Sequence, residues 1–131
     1  MILNKKIKSD IKKHALKEKP KECCGLVFES NGSLNIQACS NTSEIPEKHF
    51  SISPRDYLKA TQKGSIKAVY HSHLSNNDRF SPNDILHSRA HQLPFLLYCH
   101  GKDSFSTFLP QKNKTFLYDR IFKIGESDCY A

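Results

Sequence analysis

Ile66-Lys67-Ala68-Val69-Tyr70-His71-Ser72-His73, then seven residues, then Ser81-Pro82-Asn83-Asp84, is the stretch on which the reading of the fold turns. Apolar and polar residues alternate over 66–71, which predicts a strand. Ser81-Pro82-Asn83-Asp84 opens a helix running to about Gln92, with Ser as N-cap, Pro at the first helical position and an acid in the first turn. His71 and His73 are two apart at the strand's end, so both side chains point to one face. Imidazole is a preferred zinc ligand, and two on one face make half of a tetrahedral site. Asp84 sits where the helix backbone favours negative charge, and becomes a third ligand if the intervening loop folds back. Three protein ligands leave a position for water, the mark of a catalytic zinc.

Working outward, Ser53-Pro54-Arg55-Asp56 repeats the helix-opening signal, and Gly64 closes that helix. Cys24-Gly25-Leu26-Val27-Phe28 reads as an apolar strand, Asn31-Gly32 as a hairpin turn and Leu34–Cys39 as the returning strand. A loop over Asn41–Lys48 is followed by a short strand around His49–Ile52. Leu93–Cys99 and Phe105–Leu109 pair as a second hairpin. At the N-terminus Leu3, Ile7, Ile11 and Ala15 mark an amphipathic helix stopped by Pro20. Helices interspersed with hairpins favour an α+β domain with a mixed sheet.

The 131 residues suffice for one domain with its own core. No apolar run approaches the roughly 20 residues of a membrane helix, so no membrane partner is expected. The N-terminus lacks the apolar stretch of a signal peptide. Net charge is +7, concentrated in eight lysines between Lys5 and Lys21. Without interleaved aromatic and Arg residues these read as a solvated helix face, and no nucleic acid is expected. Cys23, Cys24, Cys39 and Cys99 lie in apolar stretches and read as buried reduced thiols, which implies a reducing compartment.

His71-Ser72-His73, seven residues and Ser81-Pro82-Asn83-Asp84 together resemble the signature of the JAMM (MPN-plus) metallopeptidases. Pro20-Lys21-Glu22-Cys23-Cys24-Gly25-Leu26 resembles the early glutamate motif of that family. Asn41 and Phe50-Ser51-Ile52-Ser53-Pro54-Arg55-Asp56 resemble its middle section. The resemblance runs from roughly Ser9 to Pro110 and implies a JAMM/cytidine-deaminase-like mixed sheet flanked by helices. It implies one zinc on His71, His73 and Asp84, with Glu22 as general base and Ser81 as hydrogen-bond donor to the oxyanion. Leu74 stands where the family commonly has proline. Asp56 reads as a helix-start acid only. His87 and His91 read as surface or supporting side chains rather than a second metal pair, and His14, His49 and His100 carry no distinguishing context.

Residues 1–110 thus read as the metallopeptidase-like domain and 111–131 as a linker and the truncated start of another. Ile124–Ala131 resembles the opening of an NlpC-type cysteine peptidase around Asp128-Cys129, although Cys129 has no downstream histidine to serve it as base. A mobile tail with an accidental Asp-Cys is the plain alternative. The order of the two motifs is that of the tail assembly protein K family of tailed phages. The expectation is a zinc peptidase or isopeptidase in phage tail assembly or host entry. It would work in the host cytoplasm or in the virion tail, on a tail protein or a peptidoglycan peptide and beside tail-tip proteins. The alternative is a structural tail-tip module that keeps the fold without catalysis.

Overall fold

The computed structural model describes residues 3–110. In chain order the elements are α1 (Lys5–Glu18), β1 (Cys24–Ser30), β2 (Ser33–Cys39), α2 (Pro54–Lys63), β3 (Ser65–His73), α3 (Pro82–His91), β4 (Phe95–Cys99) and β5 (Ser104–Phe108). The five strands form one sheet in the order β2-β1-β3-β4-β5, with β3 antiparallel to β1 and parallel to β4. The sheet is therefore mixed, as expected for an α+β domain. The β1–β2 turn uses Asn31 and Gly32, both at positive φ (49° and 80°), the conformation that suits a two-residue hairpin.

The sheet is covered on both faces, so its central strands are buried throughout rather than alternately. Val27, Ala68, Tyr70 and Leu96 pack with Ile7, Ile11 and Ala15 of α1 on one side. Leu26, Val69, Phe95 and Leu97 pack with Ala60 of α2 and Ile85 of α3 on the other. The alternation expected over 66–71 gives way at Ala68–Ser72, all of which are buried. Lys67, near the start of the strand, is half-exposed and reaches Glu29 at 3.5 Å.

Two other expectations change. No strand forms around His49–Ile52; the segment makes a single isolated bridge, Asn41 to Ile52. Ser53 precedes α2 without a side-chain cap, and Asp56 Oδ2 accepts from Ser40 N at 2.7 Å. Asp56 thus ties the start of α2 to the end of β2, beyond its role as a helix-start acid. The four cysteines of the described residues are free and buried; burial pushes the Cys23 and Cys39 thiols up to about 12. Cys129 and the segment 111–131 lie outside the described residues.

His14, at the inner edge of α1, hydrogen-bonds Tyr70 Oη through Nδ1 at 2.8 Å. Burial lowers its pKa below the ordinary 6.5, with Glu18 opposing. The unfolded chain therefore binds more protons than the folded one as pH falls through 6.5, and stability falls with it. Glu22, raised by burial to about 7, works the other way in the same window. Urea melts at about pH 7.5 and about pH 5.5 are therefore compared between proteins: acidification should be less destabilising for His14→Gln than for the wild type. His73 and His100 are shifted the same way, so equal losses in the two proteins would remove His14 as a contributor.

Candidate metal centre

The sheet register assembles the site. Cys24 of β1 pairs with His71 of β3 in an antiparallel ladder. Extending that ladder by two residues sets Glu22 opposite His73, on the same face as His71. Ser72 N donates to Cys23 O at 3.1 Å, and Cys23 N donates to Ser72 Oγ at 2.8 Å, so this extension is held by real hydrogen bonds. Ligand atoms of Glu22, His71 and His73 lie within 4.8 Å of one another. Asp84 Oδ2 stands 3.4 Å from His71 Nε2. The mutual group does not extend to Asp84, which meets it through His71.

Each side chain is held from behind. Phe50 stacks on the His71 ring at 4.5 Å and 21°, with Phe80 and Phe95 edge-on to it at 6.1 and 6.3 Å. His71 is buried, and neither of its ring nitrogens makes a hydrogen bond; the approach to Asp84 is close without being one. Such orphaned nitrogens are costly unless something else occupies them. His73 Nδ1 lies 2.9 Å from Asn77 O. A carbonyl only accepts, so Nδ1 carries the hydrogen and Nε2 keeps its lone pair for a cation. The donor set and the unpartnered imidazole both fit zinc.

The two carboxyls have different surroundings. Burial pushes Glu22 up to about 7, with the Asp84 charge adding and His71 opposing. Burial would raise Asp84 too, but His71 and the Ser81 N–H outweigh it and hold Asp84 at about 2. Asp84 is thus a fixed anion, and Glu22 a carboxyl able to exchange a proton near neutrality. Burial, with the neighbouring His71, also lowers His73, which favours the neutral ring a metal requires.

Ser81 caps α3 as its sequence predicts, in a reciprocal box: Asp84 N donates to Ser81 Oγ at 3.1 Å and Ser81 N donates to Asp84 Oδ2 at 3.0 Å. The cap uses Ser81 Oγ as an acceptor and leaves its O–H free to donate. Capping and oxyanion donation are therefore compatible at Ser81.

Sequence reasoning assigned no role to Asn41 or Phe50. Asn41 Nδ2 donates to Glu22 O at 2.9 Å and His49 O at 3.0 Å, while its Oδ1 accepts from Ser43 N and Ser51 N at 3.0 and 3.1 Å. One amide therefore fastens the 41–51 loop to the backbone of Glu22, and that loop carries Phe50 onto His71. The resemblance of both residues to a family's middle section was the available signal. The site opens into a cavity of about 1130 Å³, with His49, His87 and His91 in its walls. His87 and His91, both exposed, face each other at 6.4 Å between ring centroids.

Residues 4–110 match the prokaryotic homologues of the JAB domain. The chain belongs to that family. It is 32% identical over 118 residues to the tail tip assembly protein K of Escherichia phage N15, which covers 90% of this chain and 48% of the phage protein. The chain thus spans about half the length of that curated relative. Among solved structures, DSY2949 from Desulfitobacterium hafniense superposes with a TM-score of 0.63 at 21% identity, over 82% of this chain and 89% of the other. A structure described as JAMM, a metalloprotease-like zinc site in the proteasome and signalosome, gives 0.53 at 14% identity, over 83% and 86%. At such identities the structural likeness speaks for the fold alone: a mixed five-stranded sheet flanked by helices, common to the JAB/MPN proteins. Among the described residues no helix is long and apolar enough to cross a membrane.

Proposed function

We propose that the chain is a zinc-dependent peptidase or isopeptidase, acting in phage tail assembly or host entry on a tail protein or a peptidoglycan peptide. The observation that carries this reading is the convergence of Glu22 with His71 and His73, and of Asp84 with His71, at the wall of one large cavity. Zinc held by His71, His73 and Asp84 would supply Lewis acidity toward water and the amide carbonyl. Glu22 takes a proton from the attacking water and returns it to the leaving nitrogen, so that amide and water become a carboxylate and an amine. Ser81 donates its O–H to the carbonyl oxygen as charge builds there; such a donor contributes about 3 kcal/mol. Phe50 and Asn41 keep His71 and Glu22 in place for this.

A tail tip assembly relative supports a setting among tail-tip proteins, in the host cytoplasm during assembly or in the tail. A second reading has its own observation: the mutual group contains Glu22 and not Asp84. If Glu22 is itself a ligand, no base remains and the domain is a structural tail-tip module. Hydrolysis of candidate tail proteins and cross-linked peptidoglycan peptides, before and after chelation and with zinc restored, separates the two. The peptidase reading expects cleavage that is lost with the metal and returns with it; no cleavage of any of these by zinc-loaded protein favours the structural module.

A further inference from the structure

Val69, His71 and His73 lie on one face of β3, so the cavity wall continues from the histidine pair along the strand. Two strand residues span about 6.6 Å, and at that distance from His71 the lining becomes apolar. Leu26, Val69 and Phe95 form the floor, all buried in the sheet. Ile52, just before α2, and Leu93, just after α3, are the half-buried side walls. Tyr57 stands at the rim, 43% exposed. Leu26, Val69, Phe95, Ile52 and Leu93 belong to one packed apolar cluster, and all five line the cavity.

We infer that this end of the cavity is a specificity pocket for one large apolar side chain, aromatic or long aliphatic, on the residue flanking the amide to be cleaved. The inference rests on the peptidase reading above. The occupant is a substrate side chain because the pocket and the metal centre share one open cavity, about one side chain apart. A peptide with its amide at His71 and Glu22 has only its neighbouring side chain within reach of Val69. A charged or amide side chain set down on Leu26, Val69 and Phe95 would lose hydration against a floor that offers no side-chain hydrogen-bond partner, although His87, His91 and Tyr57 also line the cavity. An apolar pocket separates side chains differing by a methylene by about 10- to 200-fold, and a Phe-for-Ala exchange exceeds that difference.

The test exposes a randomised peptide library to zinc-loaded protein with two readouts: retention on immobilised Glu22→Gln protein, and the cut sites produced by the wild type. One position beside the cut should be enriched in Phe, Tyr, Leu or Met over Ala and Asp by at least about tenfold. Leu93→Trp, which fills the pocket, should reduce that enrichment, and Ile52→Trp serves if the first variant does not fold. Cutting without preference, or with preference for small or acidic flanking residues, overturns the pocket and leaves the peptidase reading intact. Apolar-selective retention without any cutting does the reverse. Neither selective retention nor selective cutting removes the pocket outright.

Discussion

Glu22→Gln should lower the rate of amide hydrolysis by about 10²- to 10⁴-fold, the usual worth of a positioned general base, while zinc stays on the protein. Gln keeps the volume of the side chain and removes its ability to accept a proton. The size of the effect follows from the position of Glu22: it is buried beside the histidine pair, and its backbone carbonyl is fixed by Asn41. Water cannot take over the role cheaply in so enclosed a corner. Single-turnover rates at saturating substrate read the loss directly. A variant as fast as the wild type would take Glu22 out of the reaction.

The second large effect is on stability and arises on the other side of the sheet. Gly25→Ala places a Cβ 2.3 Å from the Tyr70 ring carbon Cζ and equally close to its Oη. Tyr70 is fully buried, and its hydroxyl is hydrogen-bonded to His14, so the ring cannot swing aside without losing packing against α1. Overpacking of this kind costs about 1–3 kcal/mol. A denaturant midpoint shifted by that amount is expected, and Tyr70→Phe should recover only part of it, because the ring carbons clash as well as the oxygen. A midpoint equal to the wild type would show that β1 and α1 can separate locally at low cost.

Much of this was legible in the sequence because it is local. Ser-Pro-x-Asp sets a helix start through the φ restriction of proline, joined at Ser81 by a side-chain cap, and both α2 and α3 begin there. Asn-Gly sets a tight hairpin. The His-x-His pair fixes two side chains on one face by strand geometry alone. Even the meeting of Glu22 with His73 follows from register once β1 and β3 are known to pair. The pairing itself, between strands some 40 residues apart, is written in no property of either segment and is first seen in the structure.

What was not legible depends on loops that tertiary contacts organise. The 49–52 stretch has strand-like composition but makes only an isolated bridge, since Asn41 and Thr42 supply its hydrogen bonds in place of a neighbouring strand. Phe50 reads as one more apolar residue until His71 lies beneath it. The buried run of Ala68–Ser72 reflects cover on both faces, which alternating sequence at the strand's start does not announce. Asp56 and Ser40 meet across 16 residues for the same reason.

The central claim divides two carboxylates between two roles, and zinc titration of matched variants addresses it directly. With a competing chromophoric chelator, wild-type protein should hold about one zinc per chain. Glu22→Gln should hold it nearly as tightly, Asp84→Asn should bind it far more weakly, and His71→Ala should lose it. The reverse order, with zinc kept by Asp84→Asn and lost by Glu22→Gln, would make Glu22 a ligand and contradict the catalytic account.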